Sequence, residues 1–357
     1  MKKITILFLV SLLFFSCKQT PEGQNVKNII LLIGDGMGIP HIYAGMTVQH
    51  GKLSLERCPY VGLQKTYSLS SYITDSGAGA TAIACGIKTL NGSVGVNMRG
   101  LAVKSILEYA EEHDLSTGLV ATSAITHATP ACFIAHQVSR EDYENIAMDF
   151  LKTPIEIFIG GGRDNFNLRE DSLNLLDSLT NRGYQVISDI NEINYKADKV
   201  ACFTAAMHNP SILEGRGNMF PDAVAASIRY LDEKETGFFI MAEGSQIDWE
   251  AHDNNTDGIV AEMLDFDRAV NIALDFAQKN GNTLVIITAD HETGGMALTG
   301  GSISEGKVTA AFVTEEHTGE MVPVFAFGPK AELFTGVYEN RDIFNKMMEA
   351  FGFTKDK

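Results

Sequence analysis

Six stretches of the chain are apolar almost throughout: NIILLIG (28–34), TGLVATS (117–123), IEIFIGGG (155–162), GFFIMAEG (237–244), NTLVIITAD (282–290) and VPVFAFGP (322–329). They do not alternate apolar with polar, so they read as strands buried on both faces. Between them, AVKSILEYAEEH (102–113), DAVAASIRYLDEK (222–234) and AEMLDFDRAVNIALDFAQKN (261–280) repeat apolar positions every three or four residues. That period predicts amphipathic helices. Strand alternating with helix predicts an α/β fold, a three-layer α/β/α sandwich around a largely parallel central sheet. Residues 163–220 follow neither period and read as a surface excursion. No internal repeat or low-complexity tract interrupts the pattern, so residues 27–357 form one expected domain.

The chain opens on MKKITILFLVSLLFFSCKQT. Lys2 and Lys3 precede an apolar core of 12 residues, Ile4 to Phe15. A bilayer-spanning helix needs roughly 20 residues, so this core fits an export signal instead. The segment ends in Ser16-Cys17 and resembles a bacterial lipoprotein signal, although Phe14 stands where that family usually has Leu. The resemblance implies a signal peptide over 1–16, lipid on Cys17 and a tether over 17–26. The expected location is then the periplasm or cell envelope, with membrane attachment through acyl chains alone. Plain secretion is the alternative.

Acidic residues (45) outnumber basic ones (28), giving a formal charge of −17. Nucleic acid needs a basic surface, so it is not an expected partner, whereas bound cations are. Beyond Cys17 four cysteines remain, Cys58, Cys85, Cys132 and Cys202, with no C-x-x-C pair. A thiolate zinc site is therefore not expected, and any disulfide pairing stays open. Cys85, among small residues, reads as packed core.

In open α/β sheets, ligands bind beyond the C-terminal ends of the strands. Asp35 follows the first run, and Glu243 follows GFFIMA, with Asp248 and His252 next in EGSQIDWEAHD. Asp290 and His291 close the fifth run, and His317 precedes the sixth. Asp248 and His252 are spaced i, i+4, one face of a helix and a bidentate spacing for a metal. Mixed His and Asp donors suit Zn²⁺, and carboxylates with hydroxyls suit Mg²⁺. Asp75-Ser76 opens a run of small residues, TDSGAGAT. Such a run packs a helix closely on a sheet. With Ser76 at a strand-to-helix corner, it also leaves room for an anion at the helix N-terminus. Each feature has a plain alternative: a turn at Asp35, a solvated helix face at Asp248 and His252, close packing around Ser76.

Taken in order, GDGMG (34–38), TDSGAGAT (74–81), THATPACFIAHQVSR (126–140), EGSQIDWEAHD (243–253), TADHETGG (288–295) and EHTG (316–319) resemble the alkaline phosphatase family of metal-dependent phosphomonoesterases. The resemblance runs from about residue 27 to the C-terminus. It implies small phosphorylated substrates, two Zn²⁺ and a third, Mg²⁺-type ion. Asp248, His252 and His317 would hold one zinc, and Asp35, Asp290 and His291 the other. Asp35 would also reach the third site, completed by Thr129 and Glu243. Ser76 would be the nucleophile, Arg140 the clamp on the phosphoryl oxygens, and Asp75 the residue that orients Arg140.

Two positions depart from well-known bacterial members: His127 and Trp249 stand where those carry Asp and Lys. An imidazole at 127 would loosen the third site's preference for Mg²⁺; the alternative is an ordinary polar residue beside the site. In an extended segment His127 and Thr129 would face the same centre. Trp249 reads as a packing or lid residue. Only 25 residues separate His291 from His317, so large family insertions are absent and a homodimer stays open. The competing readings are a phosphodiesterase on the same two-metal core and a non-catalytic surface protein that binds metal or phosphate.

Overall fold

The computed structural model describes residues 26–354. The leader, Cys17 and most of the tether therefore lie outside the described residues. Ten strands form the central sheet. In chain order they are β1 (Asn28–Gly34), β2 (Tyr60–Lys65), β3 (Ser116–Ala124), β4 (Ile157–Gly161), β5 (Tyr184–Ile187), β6 (Lys199–Phe203), β7 (Phe238–Gly244), β8 (Thr283–Thr288), β13 (Val322–Phe327) and β14 (Gly336–Glu339). Between β8 and β13 come two small ribbons, in which β9 (Glu292–Thr293) pairs with β12 (His317–Thr318) and β10 (Ala297–Ser302) with β11 (Lys307–Ala311). The sheet order is β14-β2-β13-β8-β1-β7-β3-β4-β6-β5.

Every pairing in this sheet is parallel except those of β13, which runs antiparallel to both β8 and β2. The apolar run of β1 explains its central place. Ile29, Leu31 and Ile33 point into one core, and Ile30 and Leu32 into the other. Helices Ser76–Cys85, Ile106–Glu112, Tyr143–Asp149 and Arg341–Phe351 cover the first face. Helices Ile39–Val48, Met219–Asp232 and Thr256–Asn280 cover the second. The three-layer arrangement is the expected one.

Two local expectations need correction. Residues 163–220 are not a mere excursion, because β5 and β6 lie there and extend the sheet to its edge. Both are short, and their polar residues, Gln185 and Lys199, mask an apolar period. The helix expected from 102 starts at Ile106 instead, where the Ser105 hydroxyl accepts from the Glu108 amide and Glu108 reaches back to the Ser105 N–H. That reciprocal capping box fixes the start. The four cysteines from Cys58 onward are all free and buried, and Cys85 packs in the core as expected.

Register brings the chemistry to one edge. Gly34 pairs with Gly244, and Ile33 with both Glu243 and Thr288, so β1, β7 and β8 end level. Because β13 is antiparallel, its start lies at that same edge. His317, which precedes a strand, thus meets residues that follow strands.

Candidate active site

Ser76 is the first residue of helix Ser76–Cys85, and Asp75 is its N-cap, accepting from the Ala78 amide at 2.9 Å. The expected strand-to-helix corner is looser than anticipated: β2 ends at Lys65, and a loop carries the chain to Ser76. The small residues do allow a close approach. A Cβ on Gly79 would lie 3.0 Å from the Asp290 carbonyl oxygen. The absent side chain eases the approach of the helix to the end of β8, and Ser76 Oγ comes within 3.2 Å of His291 Nε2.

His291 Nε2 also lies 3.3 Å from Asp35 Oδ1 and 3.4 Å from Asp290 Oδ2. Asp35 begins a turn at Gly36, whose φ is +70°. A Cβ there would sit 2.8 Å from Asp248 Cα, so glycine serves both the left-handed backbone and the contact. Asp248 and His252 lie on helix Gln246–His252 and meet at 3.4 Å, Oδ2 to Nε2. His317 Nε2 is 3.6 Å from Asp248 Oδ1, and the His317 ring stacks on His291 at 3.6 Å between centroids. The Thr74 carbonyl holds His317 Nδ1 at 2.9 Å.

Donor atoms thus gather in three groups: Asp248, His252 and His317; Asp35, Asp290 and His291; and Asp35, Glu243 and His127. The first two are the sets expected from the sequence. The third brings His127 to Asp35 and Glu243. Thr129 Oγ1 lies beside Glu243 without completing a hydrogen bond. The segment is not extended through both residues, since a short helix begins at Ala128 with His127 as its N-cap. Trp249 packs its ring edge-on to His127 at 5.8 Å.

The electrostatics of this cluster call for cations. Burial, then the charges of Asp290, Asp248 and Glu243, push Asp35 well above the carboxylate range. Burial raises Glu243 to about 7 and Asp290 to about 6. Burial opposes ionisation of Asp248 too, yet His252, His291 and His317 hold it below its usual value. Its hydrogen bond in turn raises His252 to about 9. Burial first, and Arg140 next, lower His127 to about 3. Both Asp35 oxygens, Asp290 Oδ2, Glu243 Oε1, Thr129 Oγ1 and His127 Nδ1 are buried without a hydrogen-bond partner. Orphaned acceptors on this scale are costly unless something else satisfies them. Oxygen and imidazole donors together fit divalent ions of the zinc and magnesium type.

Arg140 reaches the start of the Ser76 helix through Asp75. Its Nη1 donates to Asp75 Oδ2 at 3.1 Å, and its Nη2 lies 3.4 Å from His127 Nε2. Several neighbours escaped the sequence reading. Thr293 touches both Asp248 and His291. His208 packs against His127 and Trp249. Ser123 and Ser245 donate to Glu243 Oε2. His208 lies in the stretch without period, and a lone Thr or Ser carries no spacing signal. Thr293 sits two residues after His291, but that placement alone did not single it out.

The alkaline phosphatase family model matches residues 26–311 and 305–353. Alkaline phosphatase 4 of Bacillus subtilis is 34% identical, over 92% of this chain and 89% of its own length. The Escherichia coli alkaline phosphatase is 30% identical over 91% and 86%. Among solved structures, the alkaline phosphatase of the Antarctic bacterium TAB5 shares 40% identity, with a TM-score of 0.88 over 93% of this chain and 99% of that one. A variant of that protein, with a histidine replaced by aspartate, has Mg bound in its M3 site. The chain belongs to the alkaline phosphatase family.

Proposed function

We propose that this chain hydrolyses phosphate monoesters to an alcohol and inorganic phosphate, with Ser76 as the nucleophile. One observation carries the reading: Ser76 Oγ stands 3.2 Å from His291 Nε2, where donor groups crowded with unpartnered oxygens converge. In this proposal Asp248, His252 and His317 hold one Zn²⁺, and Asp35, Asp290 and His291 the other. Asp35, Glu243 and Thr129 hold a third, Mg²⁺-type ion, with His127 beside it. Bound there, divalent ions supply positive charge against the charge that develops on the serine, leaving-group and phosphoryl oxygens.

The protein's own groups have distinct tasks. Ser76 Oγ forms a bond to phosphorus as the bond to the ester oxygen breaks and the alcohol leaves. Water then takes the phosphoryl group, restoring the serine and releasing phosphate. Arg140 offers a planar fork to the non-bridging oxygens, a geometry Lys lacks. Asp75 fixes that fork and caps the helix, whose positive end faces the incoming anion.

A phosphodiesterase on the same core is the second reading. Arg140 disfavours it, because a diester has one fewer charged oxygen to clamp. The test compares release of product from an aryl phosphate and an aryl phosphodiester by the zinc-loaded protein, before and after chelation. Preference for the monoester, lost on chelation and restored by zinc, is expected. Preference for the diester, or activity in metal-free protein, would contradict the reading.

We further propose one catalytic domain from residue 27, export, and lipid attachment at Cys17. The support is Lys2, Lys3, the core from Ile4 to Phe15, and Cys17 itself. No helix among the described residues is long and apolar enough to cross a membrane. β1 begins at Asn28, at the end of the sheet opposite the site. A homodimer is part of the same proposal. Its support is the exposed Ile39, Tyr67, Tyr72 and Met321 along one cleft.

A further inference from the structure

Thr293 occupies the junction between the two proposed zinc centres. Its hydroxyl donates to Asp248 Oδ1, a donor of the first set. The same oxygen lies 3.2 Å from His291 Nδ1, a donor of the second. Its amide donates to the Gly36 carbonyl at 3.2 Å, next to Asp35, and across the ribbon it pairs with His317. The side chain is fully buried, so water does not compete for these contacts.

A threonine hydroxyl has one hydrogen to give. Once that hydrogen goes to Asp248, the oxygen can meet His291 Nδ1 only as an acceptor. Nδ1 must then carry the imidazole proton. The lone pair is left on Nε2, the atom that faces Asp35, Asp290 and Ser76. A nitrogen lone pair among carboxylate oxygens is repelled by them unless a cation lies between.

We infer that Thr293 is a positioning residue that sets the His291 tautomer and ties the two metal centres through one hydroxyl. The inference rests on reading the two donor sets as zinc centres. It also accounts for Asp248 keeping one oriented oxygen: the hydroxyl fixes Oδ1, while Oδ2 faces His252. Partners of this kind orient metal-bound imidazoles, and their loss costs roughly 10- to 100-fold in metal affinity.

The test uses three forms of the full zinc-loaded chain: wild type, Thr293→Val, which keeps the shape and removes the hydroxyl, and Thr293→Ser, which keeps the hydroxyl. Zinc loss to a competing chelator is followed for both ions, together with the imidazole nitrogen spectrum of His291. The expected result is roughly 10- to 100-fold weaker zinc retention at both centres in Thr293→Val. Thr293→Ser should stay near wild type, and the slowly exchanging Nδ1–H signal should appear in wild type and Ser but not in Val. Equal retention in all three, Ser behaving like Val, or a wild-type His291 with the proton on Nε2 would overturn the inference. Failure of the two-zinc reading shows separately, as a wild-type zinc content below two per chain.

Discussion

Arg140 and Asp75 form a single unit at the start of the Ser76 helix. Asp75 Oδ2 accepts from Arg140 Nη1 at 3.1 Å and from the Gly92 amide at 2.9 Å, while Oδ1 caps the helix through Ala78. The Arg140 amide in turn donates to the Gly92 carbonyl at 2.7 Å. The guanidinium is therefore fixed from both backbone and side chain before any anion arrives. Preorganised charge of this kind acts without reorganisation at the moment of reaction.

Arg140→Ala should lower monoester turnover by about 10²-fold, the scale of losing one oriented donor to a transition-state oxygen. Inhibition by inorganic phosphate should weaken with it. Diester turnover should fall less, because one phosphoryl oxygen is esterified. Steady-state rates on matched aryl substrates check this, and equal losses on both would remove the clamp role from Arg140.

His127 separates the third donor group from an all-oxygen site. Magnesium prefers oxygen ligands and bound water, whereas imidazole suits zinc or cobalt better. His127→Asp should make activity more dependent on added Mg²⁺ and leave the zinc content of the other two sites unchanged. A Mg²⁺ titration of activity on zinc-loaded protein decides it. Superimposable curves would mean that His127 only packs against Trp249 and His208.

At the opposite edge of the sheet, Glu111 and Glu156 share Thr117. The Thr117 hydroxyl donates to Glu111, and its amide donates to Glu156 Oε2 at 2.6 Å. Burial, then the charge of Glu156, raises Glu111 to about 7. The folded chain thus binds this proton more tightly than the unfolded chain. Stability from Glu111 is full below the ordinary glutamate range and is lost as pH rises to about 7. Glu111→Gln keeps an acceptor for Thr117 and removes the charge. It should raise the melting temperature at pH 8 by about 1–2 °C, with the gain shrinking toward pH 5. A loss at pH 8, or the same shift at both pH values, would contradict this assignment.

Much of this was legible because two signals were strong. The strands β1, β7 and β8 are buried on both faces, so their sequences are apolar runs with sharp ends, and the chemistry follows those ends. The i, i+4 spacing of Asp248 and His252 is likewise a geometric statement that a helix turns into proximity. Weaker signals failed for physical reasons. β2, YVGLQK, is only partly buried and carries Gly62, Gln64 and Lys65, so its pattern resembles a loop. The short helix at Ala128 breaks the expected extended path from His127 to Thr129. Thr293 and His208 act through tertiary contacts that no local period encodes.

The proposed reaction depends on Ser76 carrying the phosphoryl group. Its most direct measurement is acid quench of the zinc-loaded protein during turnover of a phosphate monoester, followed by mass spectrometry of the peptide that contains residue 76. The wild type is expected to carry phosphate on Ser76. Ser76→Ala is expected to show no phosphopeptide and a loss of turnover of several orders of magnitude, with some direct hydrolysis surviving. Phosphate on a different residue, or a Ser76→Ala variant that turns over at the wild-type rate, would contradict it.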